Sequence, residues 1–169
     1  MSKRFPAPFW RTNMDSPIGR IGLTATPDGL AEIWFDGYDE RAPAGAGEQD
    51  PAGVLEQARA QLEEYFAGTR STFDVPLAPS GSAFELNVWA LLREIPTGRT
   101  ASYGEIARKL GDPTMARAVG RANGQNPLPI VVPCHRVIGA NGSLVGFGGG
   151  LERKRWLLEH EGALARSAL

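Results

Sequence analysis

The chain has 169 residues, 42% hydrophobic and 22% charged, with a formal net charge of −1, which suits one domain or two small ones. One cysteine excludes an intramolecular disulfide, and one cysteine with two histidines is too few for a thiolate-rich zinc site, so no metal and no cofactor are expected. No run approaches membrane-spanning length, and Met1 to Trp10 lacks the apolar core of a signal peptide, which points to a cytoplasmic protein.

The charge is unevenly spread. Residues 1–82 carry 7 Lys and Arg against 12 Asp and Glu, whereas residues 83–169 carry 11 against 7. The basic half permits a polyanion partner, with an affinity that falls as salt rises.

In chain order, Trp10 to Met14, Ile18 to Thr26 and Leu30 to Phe35 read as an antiparallel meander, broken by Asp15-Ser16-Pro17 and Pro27-Asp28-Gly29. Residues 37–50 read as a surface loop rich in Gly, Ala, Pro and acids. Pro51 to Phe66 predicts a helix with Val54, Leu55, Ala58, Leu62, Tyr65 and Phe66 on one stripe, and Gly68 after its end. Phe73 to Leu77 reads as one more short strand, and Pro79-Ser80-Gly81 as a boundary between domains 1–80 and 81–169.

The second half reads as mostly helical. Ser82 and Glu85 match a capping box opening a helix that carries Phe84, Val88, Leu91, Leu92 and Ile95 to the stop at Pro96. Ser102 and Glu105 match a second box, opening a short helix to Leu110. After the break at Gly111-Asp112-Pro113, Thr114 can cap a further helix through Asn123. Helix, glycine-bearing turn, helix is the outline of a helix-turn-helix, and also of many plain helix pairs. In the later helix, Met115 and Val119 can face inward. Ala116, Ala118, Gly120 and Ala122 leave it slim, and Arg117 and Arg121 rise from that bare surface. Such a face suits either close approach to a ligand or packing against a neighbouring helix.

Cys134 and His135 stand side by side after an apolar run, Leu128 to Val132. A thiol beside an imidazole is a minimal nucleophile, because the thiolate attacks and the imidazole takes its proton; the alternative is a buried structural cysteine. Four glycines among residues 146–150 bring backbone N–H groups close to whatever lies there, without a dinucleotide or P-loop spacing. A last helix runs from Leu151 to about Glu161. Glu161 lies three and four residues beyond Leu158 and Leu157, so it faces inward and needs a partner, for which His135 is a candidate. Glu159 and His160 are expected to face solvent.

The run NPLPIVVPCHRV over residues 126–137 resembles the active-site signature of the O6-alkylguanine-DNA alkyltransferases, the methylated-DNA–protein-cysteine methyltransferases. The resemblance extends through SYGE at 102–105, ARAVG at 116–120, GFGG at 146–149 and WLLEHE at 156–161. It is dense over residues 83–169 and limited to the strand and helix pattern before that.

The resemblance implies an α+β fold: a small supporting domain with an antiparallel sheet and helix, and a mostly helical domain with a helix-turn-helix that binds DNA and transfers the alkyl group. It implies a single-use transfer from O6-alkylguanine, or O4-alkylthymine, in double-stranded DNA to Cys134, carried out by a monomer. A water links the sulfur to His135, Glu161 holds the imidazole, and Tyr103 assists the leaving base. The base would be flipped through the minor groove. Ser102, Ala116, Arg117, Ala118 and Gly120 would contact DNA, with Arg117 filling the vacated stack. Asn126 would be the hinge tying the recognition helix to an active-site strand, and Val137, Phe147 and Gly148 would hold the flipped base.

Three positions depart from the family pattern. Phe147 stands where Tyr is frequent, Gly148 where some members have Ser, and Glu85 where Gln is common. Competing readings are a thiol hydrolase, which would turn over, and a non-catalytic alkyltransferase-like binder, whose known forms lack the nucleophilic cysteine.

Overall fold

The computed structural model describes residues 8–38 and 50–165. Most of the predicted surface loop, residues 39–49, therefore lies outside the described residues. The chain divides into two compact units, Met1–Ser80 and Gly81–Leu169. The fold is α+β, with an antiparallel sheet in the first unit and mainly helices in the second.

In the first unit, β1 (Trp10–Met14), β2 (Ile21–Thr26) and β3 (Gly29–Phe35) form an antiparallel sheet in the order β1-β2-β3. Trp10 pairs with Ala25, and Ile21 pairs with both Met14 and Phe35. β2 starts later than the expected Ile18. Ser16 and Gly19 close a turn, with Gly19 N–H donating to Ser16 O at 3.0 Å and Gly19 at φ 101°, and this keeps Ile18 out of the ladder. Ile21, Leu23 and Ala25 are fully buried. On the alternate residues, Tyr38 Oη donates to Glu32 at 2.6 Å and lies 2.6 Å from Thr24 Oγ1.

α1 (Val54–Phe66) packs on this sheet through Val54, Ala58, Leu62 and Tyr65. It begins at Val54 rather than Pro51. Gly53 is left-handed at φ 70°, and the Asp50 carboxylate accepts from the N–H groups of Ala52 and Leu55. The expected strand Phe73–Leu77 does not form. A single parallel bridge joins Leu30 and Leu77, because Pro76 has no N–H with which to extend a ladder.

In the second unit, α2 (Ala83–Leu92) carries the complete capping box of Ser82 and Glu85. It stops three residues before Ile95, which continues as a turn. A two-residue parallel pair, β4 (Ala101–Ser102) and β5 (Val137–Ile138), has no counterpart in the sequence reading, since two residues show no periodicity. α3 (Tyr103–Lys109) starts with Ser102 Oγ accepting from Glu105 N–H at 3.1 Å, the forward half of the second expected box.

Thr114 is not the cap of the next helix. Its hydroxyl and N–H both donate to Asp112 Oδ1, which caps a 3-10 turn over Pro113–Met115, and α4 (Ala116–Gly124) follows with no side-chain cap. Met115 sits half-buried at that junction. α5 is Leu151–His160. The core joins Val88, Leu92, Ile106, Val119, Leu128, Val137, Leu157 and Leu158, each fully buried.

No strand forms between α4 and Cys134, which corrects the expected active-site strand. Val132 N–H returns to Leu128 O at 2.8 Å, and Pro129 and Pro133 supply no N–H. Ile130 is buried with φ 75°, a conformation that costs a β-branched residue about 1–3 kcal/mol. This strained, compact turn feeds directly into the 3-10 turn Cys134–Arg136.

Candidate active site

Cys134 is free and 5% exposed. Burial pushes its thiol up. The Asn126 side chain, the Lys154 charge and the backbone amides of Cys134 and His135 pull the other way, toward thiolate. A thiol so placed is protonated at rest and needs a base.

The His135 ring reaches the end of α5. Its Nε2 lies 2.8 Å from Glu161 Oε2, with the imidazole fully enclosed and the carboxylate 1% exposed. Arg136 completes this cluster. Its Nε donates to Glu161 Oε1 at 2.8 Å and its Nη2 to Oε2 at 3.0 Å. Burial acts to raise Glu161, but the hydrogen bonds and charges of His135 and Arg136 outweigh it and bring the carboxyl down to about 2.

Glu161 is therefore ionised and accepts only, which assigns the ring proton to His135 Nε2. Nδ1 is left with a lone pair, and it is a buried atom with no hydrogen-bond partner among the described residues. Burial, with the charges of Arg136 and Lys154, lowers His135 against the opposing pull of Glu161, so the imidazole rests neutral. A neutral ring with an open acceptor next to a protonated thiol is a proton-abstracting arrangement.

Tyr103 stands at the first position of α3, placed by the Ser102 cap. Its hydroxyl donates to Val145 O at 3.4 Å, and burial, then the negative charge of Cys134, raises it above the usual phenol range. Glycines flank it. A methyl at Gly146 would lie 3.8 Å from the hydroxyl and one at Gly120 3.8 Å from the ring, which is ordinary contact. Packing on Tyr103 therefore does not require glycine at 120.

Asn126 ties the end of α4 to the turn before the cysteine. Its Nδ2 donates to Val132 O at 2.8 Å and its Oδ1 accepts from Leu128 N–H at 3.0 Å. Asn123, on the inner side of α4, donates to Cys134 O at 3.4 Å. Cys134, His135, Glu161, Tyr103 and Asn126 thus come together around one turn. Arg117 does not join them: it is exposed on α4, where Ala116, Ala118 and Gly120 are half-buried. Val137 is fully buried, its N–H bonded to Cys134 O and its carbonyl to Lys154. Gly148 is exposed and Phe147 half-buried on the loop before α5.

Two charged residues of the site escaped the sequence reading. Lys154 is fully buried and donates to Val137 O at 2.6 Å, Val145 O at 2.7 Å and Gly146 O at 3.3 Å. Burial lowers its ammonium to about 8, with Cys134 acting to raise it. A signal existed: Lys154 precedes Leu157 and Leu158 by three and four residues, the same spacing that singled out Glu161. Arg136 lies in a 3-10 turn and offers no such periodicity. His160 and Glu159 are half-buried rather than solvent-facing, and the His160 ring stacks on Trp156 at 4.7 Å. Among the described residues no group of His, Cys, Asp and Glu is placed to hold a metal ion.

A buried free thiol next in sequence to a histidine held by Glu161 defines a candidate cysteine nucleophile, and comparison with known proteins names the class. Residues 83–163 match the family described as 6-O-methylguanine DNA methyltransferase, DNA binding domain, and residues 10–79 match its ribonuclease-like domain. The chain belongs to the methylated-DNA–protein-cysteine methyltransferase family, and that is its enzyme class.

The methylated-DNA–protein-cysteine methyltransferase of Methanosarcina acetivorans is 46% identical over 88% of this chain and 96% of its own. The crystal structure of Mycobacterium tuberculosis O6-methylguanine methyltransferase matches with a TM-score of 0.80 and 44% identity, covering 95% of this chain and 96% of that one. The Mycobacterium tuberculosis protein in complex with DNA matches with a TM-score of 0.78 and 47% identity, over 90% and 92% of the two chains.

Proposed function

We propose that this protein repairs double-stranded DNA by moving the alkyl group of O6-alkylguanine to Cys134, once per molecule. The observation that carries the reading is the open Nδ1 of His135, buried beside a free thiol while Nε2 is held by Glu161. The thiol proton passes through a water to Nδ1, and Sγ attacks the alkyl carbon. The S–C bond forms as the C–O6 bond breaks, and the bonding pair leaves with guanine. The Tyr103 hydroxyl donates to the departing base, which lowers the barrier by neutralising its charge. A thioether is not readily hydrolysed, so the protein is spent.

The target atom lies inside a duplex, so the nucleotide is flipped out through the minor groove. The slim outer face of α4, with Ala116, Ala118 and Gly120, suits close approach, and exposed Arg117 fills the vacated stack. α3 and α4 act as a helix-turn-helix, with Ser102 at its start, while residues 1–80 support it. The flipped base is held by the backbone at Val137 and Gly148 and by the Phe147 ring; O4-alkylthymine, a smaller pyrimidine with the same alkyl–oxygen bond on its ring, is the alternative substrate to test. A free thiol suits a monomer working in the reducing cytoplasm.

The test is incubation with an excess of duplex containing O6-methylguanine, followed by the mass of the Cys134 peptide. One methyl per molecule is expected. Repeated turnover would indicate a hydrolase, and tight binding without mass change a non-catalytic binder. Cys134→Ala keeps duplex binding and loses all transfer; residual transfer would put the nucleophile elsewhere.

A further inference from the structure

Arg136 is almost entirely enclosed, at 6% exposure, although it is the residue after the histidine in a turn that could have faced water. Besides its two bonds to Glu161, its Nη1 donates to Ile95 O at 2.7 Å and its Nη2 to Thr97 Oγ1 at 3.2 Å. The guanidinium is thus fixed from the far side by the α2–β4 connection and presents its fork to both carboxylate oxygens. A buried ion pair is weak evidence for stability, because desolvation offsets the attraction. Its geometry here points to proton control.

We propose that Arg136 is a positioning residue for alkyl transfer: its charge, held on both oxygens of Glu161, keeps the His135–Glu161 pair from binding an extra proton, so that Nδ1 stays open for the proton of Cys134. This rests on the transfer reading above and adds a residue to it.

The argument is one of charge balance. With Arg136 present, an ionised Glu161 and a neutral His135 make a neutral cluster. Without it, the same pair carries a buried negative charge, and binding one proton restores neutrality. If that proton goes to the ring, Nδ1 is occupied. If it goes to the carboxyl, the ring loses the anion that strengthens it as a base. Either way the relay is blocked until the pH is raised.

Arg136 also acts directly on the imidazole, where its charge disfavours the protonated ring. The other ionisable groups around the pair are Lys154, whose charge acts in the same direction on His135, and Cys134 with Tyr103 coupled to it. The two-pronged contact with both carboxylate oxygens of Glu161 is made by Arg136.

The experiment measures single-turnover methyl transfer from an O6-methylguanine duplex, and reaction of Cys134 with a small aromatic disulfide, from about pH 5 to about pH 9. Wild type, R136M and R136K are compared. For R136M the acid limb of both profiles moves up by about one unit or more, giving about a tenfold loss near pH 6 that recovers as pH rises. R136K keeps a positive charge, so its acid limb stays near wild type. A loss in R136M of equal size at every pH overturns the proposal.

Should R136M fail to fold, the wild-type protein still decides the matter through nitrogen NMR of labelled histidine. A neutral His135 protonated at Nε2 near pH 7 is expected; an imidazolium, or a proton on Nδ1, overturns it. Wild type that reacts with the disulfide in this pattern but takes no methyl from DNA would sink the repair reading and leave the role of Arg136 intact.

Discussion

Lys154 Nζ donates to three backbone carbonyls, one on β5 and two in the loop 145–146, and its charge favours the thiolate of Cys134. Replacing it with methionine leaves those carbonyls without their donor and removes the nearby positive charge. Lys154→Met should therefore lower stability by about 2 kcal/mol, as expected for stranding partly buried acceptors. It should also move the titration of the Cys134 thiol to higher pH. Urea unfolding checks the first effect, and the pH dependence of thiol alkylation the second; an unmoved thiol titration would show that the ammonium only ties the loop. Burial is what makes the effect large. The same ammonium on an exposed face would be screened by water and salt.

At the scale of elements, the helices were legible from periodic apolar stripes and cap residues, and the strands from apolar runs between turn signals, since β2 and β3 are buried on five consecutive residues each. Ser82 with Glu85 and the stripe Val54, Ala58, Leu62, Tyr65 announced α2 and α1 in advance, and Glu161 was placed inward by the same spacing. The reading failed where short-range hydrogen bonding decided the backbone. Asp112 took the hydroxyl of Thr114 and moved the start of α4, Pro76 prevented a strand, and the turn before Cys134 replaced an expected strand with a left-handed Ile130. β4 and β5 are too short to leave a pattern. α4 yields a prediction of its own. Its inner side is fixed by Val119, by Asn123 on Cys134 O, and by Trp89 Nε1 donating to Ala122 O at 2.8 Å, while Arg117 stands exposed on the other side. Arg117→Ala should slow repair in duplex DNA about tenfold or more, the equivalent of about 1.4 kcal/mol withdrawn from base flipping. Reaction with free O6-benzylguanine, which needs no flipping, should change by less than about twofold. Equal losses in the two assays would remove Arg117 from the flipping step.

For the molecule as a whole, Glu161 links folding to pH. Its carboxyl is depressed from an ordinary 4.5 to about 2, so the folded state binds fewer protons than the unfolded chain between those values. Stability from this group is complete above about 4.5 and is lost as pH falls toward 2, on the order of 3 kcal/mol in all. Melting temperature of the wild type should fall across that window, and Glu161→Gln should flatten the fall; a parallel decline in both would assign acid sensitivity to other carboxyls. Alkylation acts on the same assembly from the sulfur side. Cys134 is 5% exposed, its carbonyl is bonded to Asn123 and Val137, and the preceding turn already holds Ile130 at φ 75°. A methyl added to a packed site costs about 1–3 kcal/mol, because neighbours that cannot relax must move. The methylated protein should therefore melt roughly 2–10 °C below the unmodified one. Differential scanning fluorimetry before and after reaction measures this, and an unchanged or raised melting temperature would mean that the pocket accepts the product without strain.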